Sequence, residues 1–287
     1  KLLSIILTAM LILATIPFSC ISVLAEEAGV PVLYASQISN NTHLTLNSDT
    51  ELIMDKELYI KSITGEYNIT ITGSEPLNIT NAERTIEVHD FICYAPLIVT
   101  STSEKYDEPT IEVWKFAVYC SELTIYGNYP LSASNININS IAVNIRALKE
   151  CGMTGFYDTY INCETLEINS ENTAIRSRNC VTVIVSKYCI INSNMDGIAT
   201  SVSLMPDNNI YLGGRIIINA ERFGLGTNNG SIYSKGSPSG DARQLPALEQ
   251  LHITADEPIS AVGVINLRCA DAKITATGND EPAIKGT

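Results

Sequence analysis

Apolar and polar residues alternate in short stretches along most of the chain, and the stretches recur. Leu166-Glu-Ile-Asn-Ser-Glu-Asn-Thr-Ala-Ile175-Arg-Ser lines up with Cys189-Ile-Ile-Asn-Ser-Asn-Met-Asp-Gly-Ile198-Ala-Thr and with Ile216-Ile-Ile-Asn-Ala-Glu-Arg-Phe-Gly-Leu225-Gly-Thr. Ile136 to Ala147 reads as a further copy, and the stretches beginning at Leu44, Ile69 and Leu251 as weaker ones. Alternation with period two over a few residues predicts strands with one face inward. We expect strands of about three to five residues centred on Ile125, Ile168, Val183, Ile191, Ile218, Ile253 and Ile274, with these side chains buried. Helical spacing of apolar residues is suggested only over Ala242 to Glu249, where Pro246 interrupts it.

The period decides the architecture. Ile168 to Ile191 is 23 residues, Ile253 to Ile274 is 21, and Ile125 to Ile168 is 43, close to two such steps. Two longer intervals, 27 and 35 residues, contain Met205-Pro-Asp-Asn-Asn209 and the Gly- and Ser-rich stretch from Asn228 to Asp241, which read as loops between repeats. One repeat cannot bury its inward residues alone, so repeats must stack and set like upon like. These features predict an all-β, right-handed parallel β-helix with rungs of about 20–24 residues. The alternative is a leucine-rich-repeat-like solenoid, disfavoured by the absence of its Leu-x-x-Leu-x-Leu core. At the corners, Asn-Ser, Asn-Gly and Asp-Gly are expected to tolerate left-handed backbone.

Cysteine belongs to the same pattern. Cys120, Cys163, Cys180 and Cys269 each precede a β-branched residue by five positions, with an aliphatic residue at the third step. They read as a repeat position filled by a small apolar residue, not as metal ligands or a disulfide framework. Residues 1–25 form a basic start, an apolar run and a Val-Leu-Ala end, which describes a secretory signal peptide. Residues 26–287 then form a single exported β-helix domain with no membrane span in the mature chain. Because the sequence ends on a full repeat unit without a cap, the native polypeptide is expected to continue past Thr287. A net charge of −13 sets aside nucleic acid as a partner.

The stretch Ile191-Asn-Ser-Asn-Met-Asp196-Gly197-Ile198, followed by Ile210-Tyr-Leu-Gly213-Gly214-Arg-Ile216-Ile-Ile-Asn-Ala220, resembles rungs of secreted bacterial, pectate-lyase-like β-helix proteins of the carbohydrate-binding-domain type. That resemblance covers about residues 165–287 and implies binding of acidic polysaccharide with calcium. The chain departs from the pattern at its corners, since Asp-Gly occurs once and equivalent corners carry Thr173-Ala174, Phe223-Gly224 and Glu281-Pro-Ala283.

For chemistry, the chain offers few clusters. Glycan rings stack on flat aromatic faces, which singles out Trp114, the sole Trp, and Tyr157 and Tyr160 flanking Asp158 in the densest aromatic group, Phe156 to Tyr160. Asp196, Asp207, Asn208 and Asn209 are the oxygen-rich positions that calcium would favour, although nothing in the sequence requires a cofactor. Arg176 and Arg178 are the best-placed bases for a lyase, but no paired-carboxylate motif of a hydrolase is present. His43, His89 and His252 read as isolated surface strand residues. The expected function is that of an exported or cell-surface, non-catalytic β-solenoid that binds polysaccharide. A lyase or glycoside hydrolase of the same shape and a purely structural stalk are the alternatives.

Overall fold

The computed structural model describes residues 20–22, 29–105, 108–200, 208–234, 245–278 and 282–286. Within them the chain winds as a parallel β-solenoid of about ten turns, and the winding is consistent with the right-handed sense of parallel crossovers. Each strand pairs in parallel with the strand one turn away, and the strands fall on three faces. A single 3-10 turn, Ala35–Gln37, is the one helical element among the described residues. The leucine-rich-repeat alternative is therefore set aside: each turn feeds three sheets of strands rather than one.

Alternation places one ladder of apolar side chains inside each face. The first face stacks Ile71, Cys93, Val118, Ile138, Ile161, Val183 and Leu212 in register. On the second face the ladder runs from Ile60 through Ile125, Ile145, Ile168, Ile191 and Ile218 to Ile253 and Ile274. A third face stacks Leu44, Ile63, Ile86, Ile111, Leu131, Met153, Ile175, Ile198, Leu225 and Ile259. From Leu44 to Ile259 these ladder residues are at most 3 % exposed, so the three ladders meet as one continuous core. Full burial of one such side chain stabilises by about 1.5–3 kcal/mol, so several turns must stack before the fold outweighs the cost of ordering it.

Two expectations need correction. Val183 does lie inward in a strand, yet it belongs to the first face while Ile125, Ile168, Ile191, Ile218, Ile253 and Ile274 share the second. The copies at Ile136 and Ile69 are likewise out of phase, because Ile138 and Ile71 stack on the first face and Ile145 and Ile79 are the true counterparts of Ile168. All three faces use the same apolar-x-apolar strand, and turn length varies, so alternation alone does not say which face a strand occupies. Partners on the second face lie from 19 residues apart, at Leu58 and Leu77, to 35 apart, at Ile216 and Leu251.

The corners also differ from expectation. Positive φ occurs among the described residues only at Asn41, Gly65, Gly73 and Gly214. The Asn-Ser corners instead turn the serine inward, where its hydroxyl is shared between its own corner and the preceding turn: Ser170 Oγ donates to the carbonyls of Thr173 at 3.2 Å and Glu150 at 3.0 Å, and Ser193 Oγ to those of Asp196 at 2.8 Å and Asn172 at 2.5 Å. Of the apolar leader, Cys20–Ser22 is described as a strand beside His43–Thr45, and the rest lies outside the described residues. Among the described residues no helix is long and apolar enough to cross a membrane.

Candidate functional site

The outer side of the third face forms the floor of a groove along the solenoid axis. In strand register, the outward position of successive turns holds Glu87, Glu112, Ser132, Thr154, Arg176, Ala199 and Gly226. Just past the end of each third-face strand, where the chain bends into the first face, stand His89, Trp114, Ser134, Phe156 and Arg178 on consecutive turns. The groove has two basins that share Phe156: one of about 700 Å³ beside Trp114 and one of about 450 Å³ beside Arg176.

Along the wall of the larger basin flat rings follow one another. His89 stacks on Trp114 with centroids 6.3 Å apart and planes 15° apart. The next turn supplies only Ser134, which leaves a gap in the column. Tyr157, from the turn beyond, packs edge-on against Trp114 with its ring 6.1 Å away, beside the basin rather than among the residues that line it. This placement is built by the backbone: Phe156 N donates to Ala133 O at 3.0 Å, Tyr157 N donates to Ser134 O at 2.7 Å, and Ser177 Oγ donates to Tyr157 O at 2.5 Å. Arg178 then lies over the Phe156 ring, 4.7 Å from its centroid, at cation–π distance. Trp114 is 50 % exposed, Tyr157 43 % and Phe156 37 %, so the rings present apolar faces to solvent rather than to the core.

In the smaller basin three of the chain's eight arginines gather. Arg222 holds Asp196 with both ends of its guanidinium, Nε to Oδ1 at 2.8 Å and Nη2 to Oδ2 at 2.6 Å, and these hydrogen bonds raise its pKa above the ordinary value. Asp196 is itself 3 % exposed and accepts a further hydrogen bond from Thr173 Oγ1 at 3.3 Å. Arg176 Nη2 donates to that same Thr173 Oγ1 at 3.4 Å, and Arg178 rests on Phe156. Neither Arg176 nor Arg178 meets a carboxylate among the described residues. At the opposite end of the groove Glu66, Glu87 and Glu112 line the larger basin, with Arg84 bridging Glu87 and Glu112 at 2.8 Å each.

Of the residues singled out from sequence, the structure brings Trp114 and Tyr157 together and sends Asp158 and Tyr160 elsewhere. Asp158 Oδ1 ties adjacent corners by accepting from Asn179 Nδ2 at 2.8 Å and from the Cys180 amide at 3.4 Å. Tyr160 points outward from the first face, between Asn137 and Thr182 of the neighbouring turns. Both oxygens of Asp196 are taken up by Arg222. Asn209 Oδ1 accepts from the Ser231 amide at 2.9 Å, and the Asn208 carbonyl accepts from Thr200 and Thr227, so these residues bind turn to turn. Asp207 lies outside the described residues. No group of three His, Cys, Asp or Glu side chains suited to a metal ion occurs among the described residues.

His89, Phe156 and Arg222 belong to the groove and were not singled out for it from sequence. Their signal was positional, one place beyond the third-face strand, and became readable only once the phase of the turns was known. His43 and His252 are strand residues outside the groove, His43 Nδ1 within 2.7 Å of Ser62 Oγ and His252 Nε2 within 3.0 Å of Asp271. Comparison with family models, with curated proteins and with solved structures found no match to this chain.

Proposed function

We propose that this protein is an exported or cell-surface β-solenoid that binds polysaccharide lengthwise in the third-face groove and does not cleave it. The observation that carries the reading is the track of half-exposed rings, His89, Trp114, Tyr157 and Phe156, stepping along an open groove. A sugar ring has apolar faces and polar edges, and a wall of flat rings over a floor of Ser132 and Thr154 offers both contacts. The apolar leader and the resemblance to bacterial carbohydrate-binding β-helices support export and a glycan ligand. Calcium is not needed for this mode of binding.

The non-catalytic reading is supported by the carboxylates of the groove being bound to arginine: in the smaller basin Arg222 holds both oxygens of Asp196, and in the larger Arg84 bridges Glu87 and Glu112. The test is titration calorimetry against a panel of neutral and acidic oligosaccharides, with and without EDTA. Binding is expected to survive EDTA, and Trp114→Ala should weaken it at least tenfold without lowering the melting temperature. A chain that binds nothing on the panel would be a stalk, and release of reducing or unsaturated ends that stops in Arg176→Ala or Arg178→Ala would make it an enzyme.

A further inference from the structure

The two ends of the groove carry opposite charge. At one end Glu66, Glu87 and Glu112 lie together, with Arg84 bridging Glu87 and Glu112. At the other, Arg222 is offset by Asp196 in contact and by Glu257 at longer range, while Arg176 and Arg178 meet no carboxylate among the described residues. On a chain of net charge −13, Arg176 and Arg178 stand together without a carboxylate partner of their own among the described residues and repel one another, and a bound anion would relieve that repulsion. Between the two ends the floor is neutral, Ser132 and Thr154. From Glu112 to Arg176 is three turns, about 14 Å at the spacing of hydrogen-bonded strands.

We propose that the arginine basin is an anion subsite for a carboxylate- or sulfate-bearing sugar unit, and that the charge reversal along the groove fixes the direction in which a glycan lies. This deepens, and rests on, the glycan-binding reading of the same groove. Arg176 and Arg178 stand one residue apart on either side of inward-facing Ser177, so both guanidinium groups reach the outer surface of a single turn. Arg178 is held flat by Phe156 and Arg222 is held by Asp196, which limits the side-chain entropy lost when a planar anion is gripped. An anion at the other end would face three carboxylates and be repelled. A chain with an anionic unit at one end therefore docks with that unit among the arginines and its neutral part along Trp114 and Tyr157.

The experiment compares an oligosaccharide carrying a single terminal uronic acid, the same oligosaccharide sulfated at that terminus, and its carboxyl-reduced neutral counterpart. Both anionic ligands should bind at least tenfold more tightly than the neutral one, by a margin that shrinks as salt is raised. Arg176→Gln and Arg178→Gln should erase the margin, so that anionic and neutral ligands bind each variant alike, while Arg178→Lys should keep part of it. Trp114→Ala should weaken all three ligands. Trp114, the sole Trp, also reports direction: a fluorescence acceptor on the terminus opposite the acid should quench it more than one on the acidic terminus. Equal affinities for charged and neutral ligands would overturn the anion subsite and leave the glycan reading standing. Equal quenching from the two termini would overturn the fixed direction, and absence of binding by every ligand would overturn the glycan reading itself. A margin for one anion only would narrow the subsite to that group.

Discussion

Five cysteines, Cys93, Cys120, Cys151, Cys163 and Cys189, are buried, and their chemistry follows from that burial. All seven cysteines from Cys93 to Cys269 are thiols, and Cys120, Cys163 and Cys269 share one column through Ser140, Val185, Gly214 and Leu248. Cys180, matched to them in the sequence, falls outside that column; Val185, five residues on, occupies it. Burial pushes the Cys163 thiol up to about 12 and the fully enclosed Cys189 well above the ordinary 9.0. Such a thiol stays protonated in the folded chain while its unfolded counterpart ionises. Its stabilisation is complete below pH 9 and is lost as the pH rises from there toward about 12. Thermal melts should therefore drop above pH 9, and Cys163→Ala should flatten part of the drop. Thiol labelling of the native protein should start at half-buried Cys180 and Cys269, and reach Cys93 and Cys189 only on unfolding. Among the described glycines, Gly214 has the least room for a side chain. It has φ +93°, and an added Cβ would lie 1.6 Å from the Val185 carbonyl oxygen, so Gly214→Ala should cost at least about 1–3 kcal/mol in a urea melt.

A strand in this fold has little meaning except as a step in a ladder. Ile168 lies between Ile145 and Ile191 with no exposure, so Ile168→Ala opens a cavity that neighbouring turns cannot close and should cost about 2–5 kcal/mol. Ile274 occupies the same ladder near its end and is only partly buried, so Ile274→Ala should cost much less in the same denaturant titration. The strands themselves were legible because period-two alternation is a local property. Face and phase were not, since the same inward pair serves all three faces and turns of unequal length reset the count. The groove suffered from the same ambiguity. Trp114 and Tyr157 stood out as aromatic residues, but their meeting depends on Ser134 leaving a gap and on the Phe156–Tyr157 corner folding back across it. Arg222 was hidden for another reason: its partner Asp196 is 26 residues away and one turn below, a contact that no local spacing announces.

At the scale of the molecule the solenoid is nearly one-dimensional, and stability should vary along it. The middle turns, around Ile125 to Ile218, have dry ladders on every face, whereas Cys269–Ala276 has no fully buried position and is exposed from Ala270 to Lys273, and Ile284 is 51 % exposed. Amide hydrogen exchange should be slowest in the middle turns and progressively faster over residues 265–286; a uniform rate along the chain would show that the turns unfold as one unit instead. The groove inherits the same geometry. Each turn lends it one floor residue and one wall residue, and successive turns rise by about 4.8 Å whatever the length of the loops between them. The chain therefore carries a molecular ruler: deleting one complete turn between Glu112 and Arg176 would shorten the distance between acidic and basic marks by a fixed increment. The length of oligosaccharide that best spans both marks should then shift downward in step with the number of turns removed.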